Sequence, residues 1–93
     1  MAKDHSATVT IRNRLGLHAR AANLFVRTAN QFKAEVTVGK GPQKVNGKSI
    51  LDILTLAARY NSKITIEAEG EEAEEAVEAL AHLVRGRFEE GDG

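Results

Sequence analysis

The chain has 93 residues, 42% of them hydrophobic and 28% charged, and no cysteine. That length suits one domain, expected over residues 1–93, and the composition is that of a globular protein. Without thiols there can be no disulfide scaffold, thiolate zinc site, iron–sulfur cluster or cysteine nucleophile. No apolar run approaches the ~18 residues of a membrane span. The opening stretch, residues 1–13, lacks the apolar core of a signal peptide, so the expected location is cytoplasmic. The formal charge is zero, from 13 basic and 13 acidic residues. The halves differ: residues 1–48 carry nine Lys/Arg against Asp4 and Glu35, and residues 49–93 carry four against eleven acids. Such asymmetry can give a folded chain a positive face suited to anionic partners.

In chain order, Ala7, Val9 and Ile11 alternate with polar residues and predict a strand with one buried face. Arg14-Leu15-Gly16-Leu17 breaks the alternation and reads as a loop. From about His18 the spacing turns helical, through Ala22, Phe25, Val26, Ala29 and Phe32. Residues 34–46 read as a hairpin: Ala34, Val36 and Val38 alternate, Gly39-Lys40-Gly41-Pro42 turns, and Gln43 to Asn46 returns. Ser49 and Asp52 fit an S-x-x-D capping box that opens a second helix, ended by Tyr60-Asn61-Ser62. Ile64, Ile66 and Ala68 predict a fourth strand, and Gly70 turns into a helix over about Glu71 to Phe88. Glutamates crowd its first turn and arginines its last, as the helix dipole favours. The tail beyond is expected to fray. The order is β-α-β-β-α-β-α. One-sided strands and three amphipathic helices predict an α+β protein of two layers. These are a four-stranded, mostly antiparallel sheet and three helices on its apolar face.

His18 is the leading candidate for chemistry. It sits where the loop hands over to the first helix, among backbone N–H groups that lack helical partners. The partial positive charge there suits a neutral imidazole, the nucleophilic form, and also receives an anion. Arg20, on the same turn, can fork to phosphate oxygens. Gly16 lets the backbone approach closely. Ser49 is explained by helix capping alone, though a phosphate there would also be tolerated. Gly47-Lys48-Ser49 resembles the end of a phosphate-binding loop, but the first glycine of that motif would fall on Pro42, which excludes it. His5 reads as part of a polar N-terminal tail. His82 reads as an i,i+4 partner of Glu78, and the glutamates from Glu71 to Glu78 as a solvated helix start. No ligand spacing points to a metal, and no cofactor is implied.

Leu15-Gly16-Leu17-His18-Ala19-Arg20, followed by an Ala-rich helix with Phe25-Val26, resembles the phosphorylation-site signature of HPr, the histidine-containing phosphocarrier family of the bacterial phosphotransferase system. Val45-Asn46-Gly47-Lys48-Ser49-Ile50 resembles the serine-site signature of the same family. The likeness extends over about residues 5–88. It implies the open-faced β-sandwich of that family. It also implies a relay in which enzyme I, charged by phosphoenolpyruvate, passes a phosphoryl group to His18 on Nδ1. His18 would hand it to an enzyme IIA component, and Arg20 would hold the phosphoryl oxygens. By the same likeness Ser49 matches the serine modified by HPr kinase/phosphorylase, and Ile50, Leu51 and Leu54 match the apolar docking patch.

Two positions depart from the family pattern. Ala21 stands where a proline usually follows the arginine, which keeps the helix but adds an N–H donor and loosens the site. Asp52 places an acid in the docking neighbourhood, where it either weakens a partner's grip or caps the helix. An alternative function is a regulatory module of the nitrogen-branch kind, switched by phosphorylation of His18 or Ser49 with no sugar transport. A nucleic-acid binder is disfavoured, because Phe25, Phe32 and Phe88 fall on core stripes and leave little to stack on bases. A monomer is expected of a carrier that docks with two partners in turn.

Overall fold

The computed structural model describes residues 4–89. The elements are β1 (His5–Thr10), α1 (Ala19–Ala29), β2 (Glu35–Lys40), β3 (Gln43–Asn46), α2 (Ile50–Thr55), β4 (Lys63–Glu69) and α3 (Ala73–Arg85). A 3-10 turn, Arg87–Glu89, closes the described chain. The strands form one antiparallel sheet in the order β1-β4-β2-β3. Period two puts every apolar strand residue on one side. Val9 lies opposite Ile64, Val38 opposite Ile66, and Val36 opposite Ala68, and all six are buried. The other face carries Thr8 opposite Thr65, their hydroxyls 3.0 Å apart, and a Lys44–Glu67 ion pair. The expected two-layer, open-faced α+β sandwich is therefore present.

The helices close the apolar side. α1 buries Ala21, Ala22, Phe25, Val26 and Ala29. α3 buries Ala76, Val77, Leu80 and Val84 and lies along β1 and β4. α1 packs on both α2 and α3, and the small alanines on its stripe suit that close approach.

Several boundaries differ from the sequence pattern. His5 is not in a tail; it opens β1 opposite Ala68. Just before it, Asp4 accepts the Gly70 N–H at 2.6 Å. α1 ends at Ala29, so Phe32 packs on the core from the following turn, where its carbonyl accepts the Lys48 ammonium at 2.7 Å. α2 stops at Thr55, several residues before the expected end at Tyr60. Hairpin side chains cap it: the Lys40 ammonium binds the Leu56 and Ala57 carbonyls, and the Gln43 amide the Thr55 carbonyl. Beyond it Leu56 and Ala58 are buried while Ala57 and Arg59 are exposed, a strand-like alternation. α3 ends before Gly86, so Phe88 does not belong to its stripe. The chain turns back with Arg87, Phe88 and Glu89 all at positive φ, and the Phe88 ring is fully buried. Of the tail expected to fray, Glu89 belongs to the closing 3-10 turn, and residues 90–93 lie outside the described residues.

Candidate phosphoryl-acceptor site

The loop before α1 is a compact turn built around Gly16. The Gly16 N–H donates to the Asn13 carbonyl at 3.1 Å. The Gly16 carbonyl accepts both the Asn13 side-chain amide at 2.8 Å and the His18 N–H at 2.9 Å. Asn13 is fully buried, so the turn is anchored from inside. Leu17 is buried as well, and its N–H donates to the Ala58 carbonyl at 2.9 Å. Gly16 has φ +69, and a Cβ there would meet the Ala58 oxygen at 2.5 Å and the Arg59 Cα at 3.0 Å. Only glycine satisfies both the conformation and the contact.

This turn delivers His18 to the N-cap of α1 in extended backbone conformation, half-buried. Its Nδ1 accepts the Arg20 N–H at 3.3 Å. Serine, threonine, aspartate and asparagine usually fill this role, and here an imidazole does. An accepting nitrogen carries a lone pair, so the bond sets Nδ1 as the unprotonated ring nitrogen and aims it at the helix mouth. The first helical bond runs from the Ala22 N–H to the His18 carbonyl, at 2.8 Å. The amides of Ala19, Arg20 and Ala21 thus lie ahead of the ladder. Ala21 is buried and the helix is continuous through it, so the missing proline leaves the fold of this turn intact. The Arg20 side chain is exposed at the same turn. A nucleophilic nitrogen, backbone donors and a guanidinium are thereby gathered at one helix start, which can receive a tetrahedral anion.

Ser49 occupies the N-cap of α2 and accepts the Asp52 N–H at 3.2 Å. The expected capping box is half formed. Asp52 does not return to the Ser49 N–H, which donates instead to the Asn46 carbonyl at 3.2 Å. Its carboxylate accepts the Asn46 N–H at 3.3 Å and fastens α2 to the end of β3. Of the expected docking residues, Leu51 is 76% exposed and Ile50 37%, while Leu54 is half-buried against the core. Two further exposed apolar side chains were not singled out from the sequence. Leu15 (69% exposed) leads the His18 turn, and Tyr60 (51% exposed) follows the Ala58 segment. Neither lies on an apolar stripe: in sequence Leu15 reads as loop and Tyr60 as the end of the second helix.

Over residues 5–86 the sequence matches the family described as PTS HPr component phosphorylation site. This chain belongs to the HPr phosphocarrier family of the phosphotransferase system. It is 48% identical over 85 residues to the phosphocarrier protein HPr of Neisseria meningitidis serogroup A, covering 91% of this chain and 96% of that one. It is 40% identical over 82 residues to the phosphocarrier protein NPr of Shewanella violacea, covering 88% and 90% of the two chains. The solved HPr of Thermoanaerobacter tengcongensis superposes with a TM-score of 0.90 at 41% identity, covering 94% of this chain and 98% of that one. Membership of the HPr family agrees with the fold described above. Among the described residues, no helix is long and apolar enough to cross a membrane, and no cluster of His, Asp or Glu could hold a metal ion.

Proposed function

We propose that this chain accepts a phosphoryl group from phospho-enzyme I on Nδ1 of His18 and passes it to an enzyme IIA component. The observation that carries this reading is the capping bond from the Arg20 N–H to His18 Nδ1, which holds a lone pair at the amide-rich start of α1. In the transfer, that lone pair forms the new N–P bond while the bond to the donor breaks and its electron pair leaves with the donor. The Arg20 N–H then binds a phosphoryl oxygen in place of the ring nitrogen, and the Arg20 guanidinium takes others. Neutral imidazole is a good leaving group, and exposure of the helix start admits donor and acceptor in turn. Ile50, Leu51 and Leu54 form the docking patch. Ser49 is a regulatory site for HPr kinase/phosphorylase, beside which the Asp52 carboxylate opposes an added phosphate. The working unit is a cytoplasmic monomer.

Incubation with enzyme I and phosphoenolpyruvate, followed by phosphohistidine mapping, tests this reading. His18 should carry acid-labile, base-stable phosphate, and His18→Ala should abolish it while remaining folded. Labelling that survives in His18→Ala would refute the site. A second reading, regulatory phosphorylation without sugar transport, draws support from the likeness to the Shewanella violacea NPr. Retention of an enzyme IIA sugar component in a pull-down counts against it.

A further inference from the structure

We propose that Arg59 is a second guanidinium contact for the phosphoryl group carried on His18. The inference rests on the phosphocarrier reading and adds a residue to its site. Arg59 lies more than 40 positions from His18 in sequence, yet its Cα would be 3.0 Å from a Cβ on Gly16. Gly16 and His18 are two residues apart, at most ~7 Å of extended chain. The bond from the His18 N–H to the Gly16 carbonyl shortens that span. The imidazole is therefore within reach of a long side chain rooted at Arg59.

The root is fixed and the tip is exposed. The Arg59 N–H donates to the Ser62 hydroxyl at 3.0 Å, and the Ser62 N–H returns to the Arg59 carbonyl at 2.9 Å. The neighbouring Ala58 carbonyl holds Leu17. The Arg59 side chain is exposed and pairs with no carboxylate among the described residues. The segments that carry His18 and Arg59 supply none of their own: residues 5–34 and 53–66 contain no Asp or Glu. An exposed guanidinium with no carboxylate partner among the described residues, based beside the loop that presents His18, is suited to a phosphoryl dianion. Arg20 approaches from the helix side and Arg59 from the segment after α2, so the two grip different oxygens.

The test loads the protein with enzyme I and phosphoenolpyruvate, removes enzyme I, and follows the 31P signal of the phosphohistidine against pH. A cation in contact favours the dianion and lowers the midpoint of its second protonation. R59A should raise that midpoint by about one unit, the low end for a lost opposite charge within contact range. R59K keeps the charge and should return it toward the wild-type value. The control is R27A, an exposed arginine in the last turn of α1, ~10 Å further along the axis and beyond a Debye length in ~0.15 M salt. Far-UV circular dichroism checks that each variant is folded. The proposal is overturned if R59A moves the midpoint no more than R27A, or if R59K behaves like R59A. A wild-type protein that gives no phosphohistidine signal is a different result, and rejects the phosphocarrier reading itself.

Discussion

The Gly16 turn decides whether His18 reaches its helix start, so Gly16→Ala is the most informative perturbation. Two costs add. An alanine at φ +69 sits in the left-handed region, at ~1–2 kcal/mol. Its Cβ would also lie 2.5 Å from the Ala58 oxygen, closer than real Cβ contacts come. Relief requires the turn to lift by roughly half an ångström or more, straining the bond between Leu17 and Ala58, worth ~0.5–1.5 kcal/mol. The expected loss is about 1.5–3.5 kcal/mol in total. Gly41→Ala separates the terms. Gly41 has φ +58 but nothing within 4 Å of the added carbon, so only the conformational cost of ~1–2 kcal/mol applies. Paired urea melts should show Gly16→Ala less stable than Gly41→Ala, with unchanged m-values. Transfer to His18 should slow in Gly16→Ala and not in Gly41→Ala, because displacement of a reacting group by ~1 Å can cost ~100-fold. Equal destabilisation of the two variants would refute the claim that close contact with the Ala58 segment holds this turn.

Three further outcomes are expected. Phe88→Ala empties a fully buried ring site and should cost about 3 kcal/mol in a thermal or urea melt; a loss below ~1 kcal/mol would mean the ring is not core. Ser49→Ala removes the cap of α2 and should cost ~1 kcal/mol, with faster amide exchange at Asp52. Lys40→Met removes the ammonium from the Leu56 and Ala57 carbonyls and should cost ~1 kcal/mol, with faster exchange confined to the end of α2; protection unchanged there would show that the cap is dispensable.

Much of the candidate site was legible because its parts are adjacent in sequence. Gly16, His18 and Arg20 fall within five positions, and a glycine turn before a helical stripe places them at a helix start. That Nδ1 of His18 is itself the cap was not legible, since histidine is not a usual capping residue. Arg59 was invisible for another reason: its sequence neighbours read as the tail of a helix, and its nearness to Gly16 exists only after folding.

The polar–apolar rhythm alone determined which side of each strand and helix is buried, and with it the layer architecture, because periods of 2.0 and 3.6 are properties of the local backbone. Tertiary structure decided where elements stop. α2 ends where Lys40 and Gln43, from the preceding hairpin, take its last carbonyls. α3 gives way to three residues at positive φ because burying Phe88 outweighs their strain, a balance that depends on a core assembled from the whole chain.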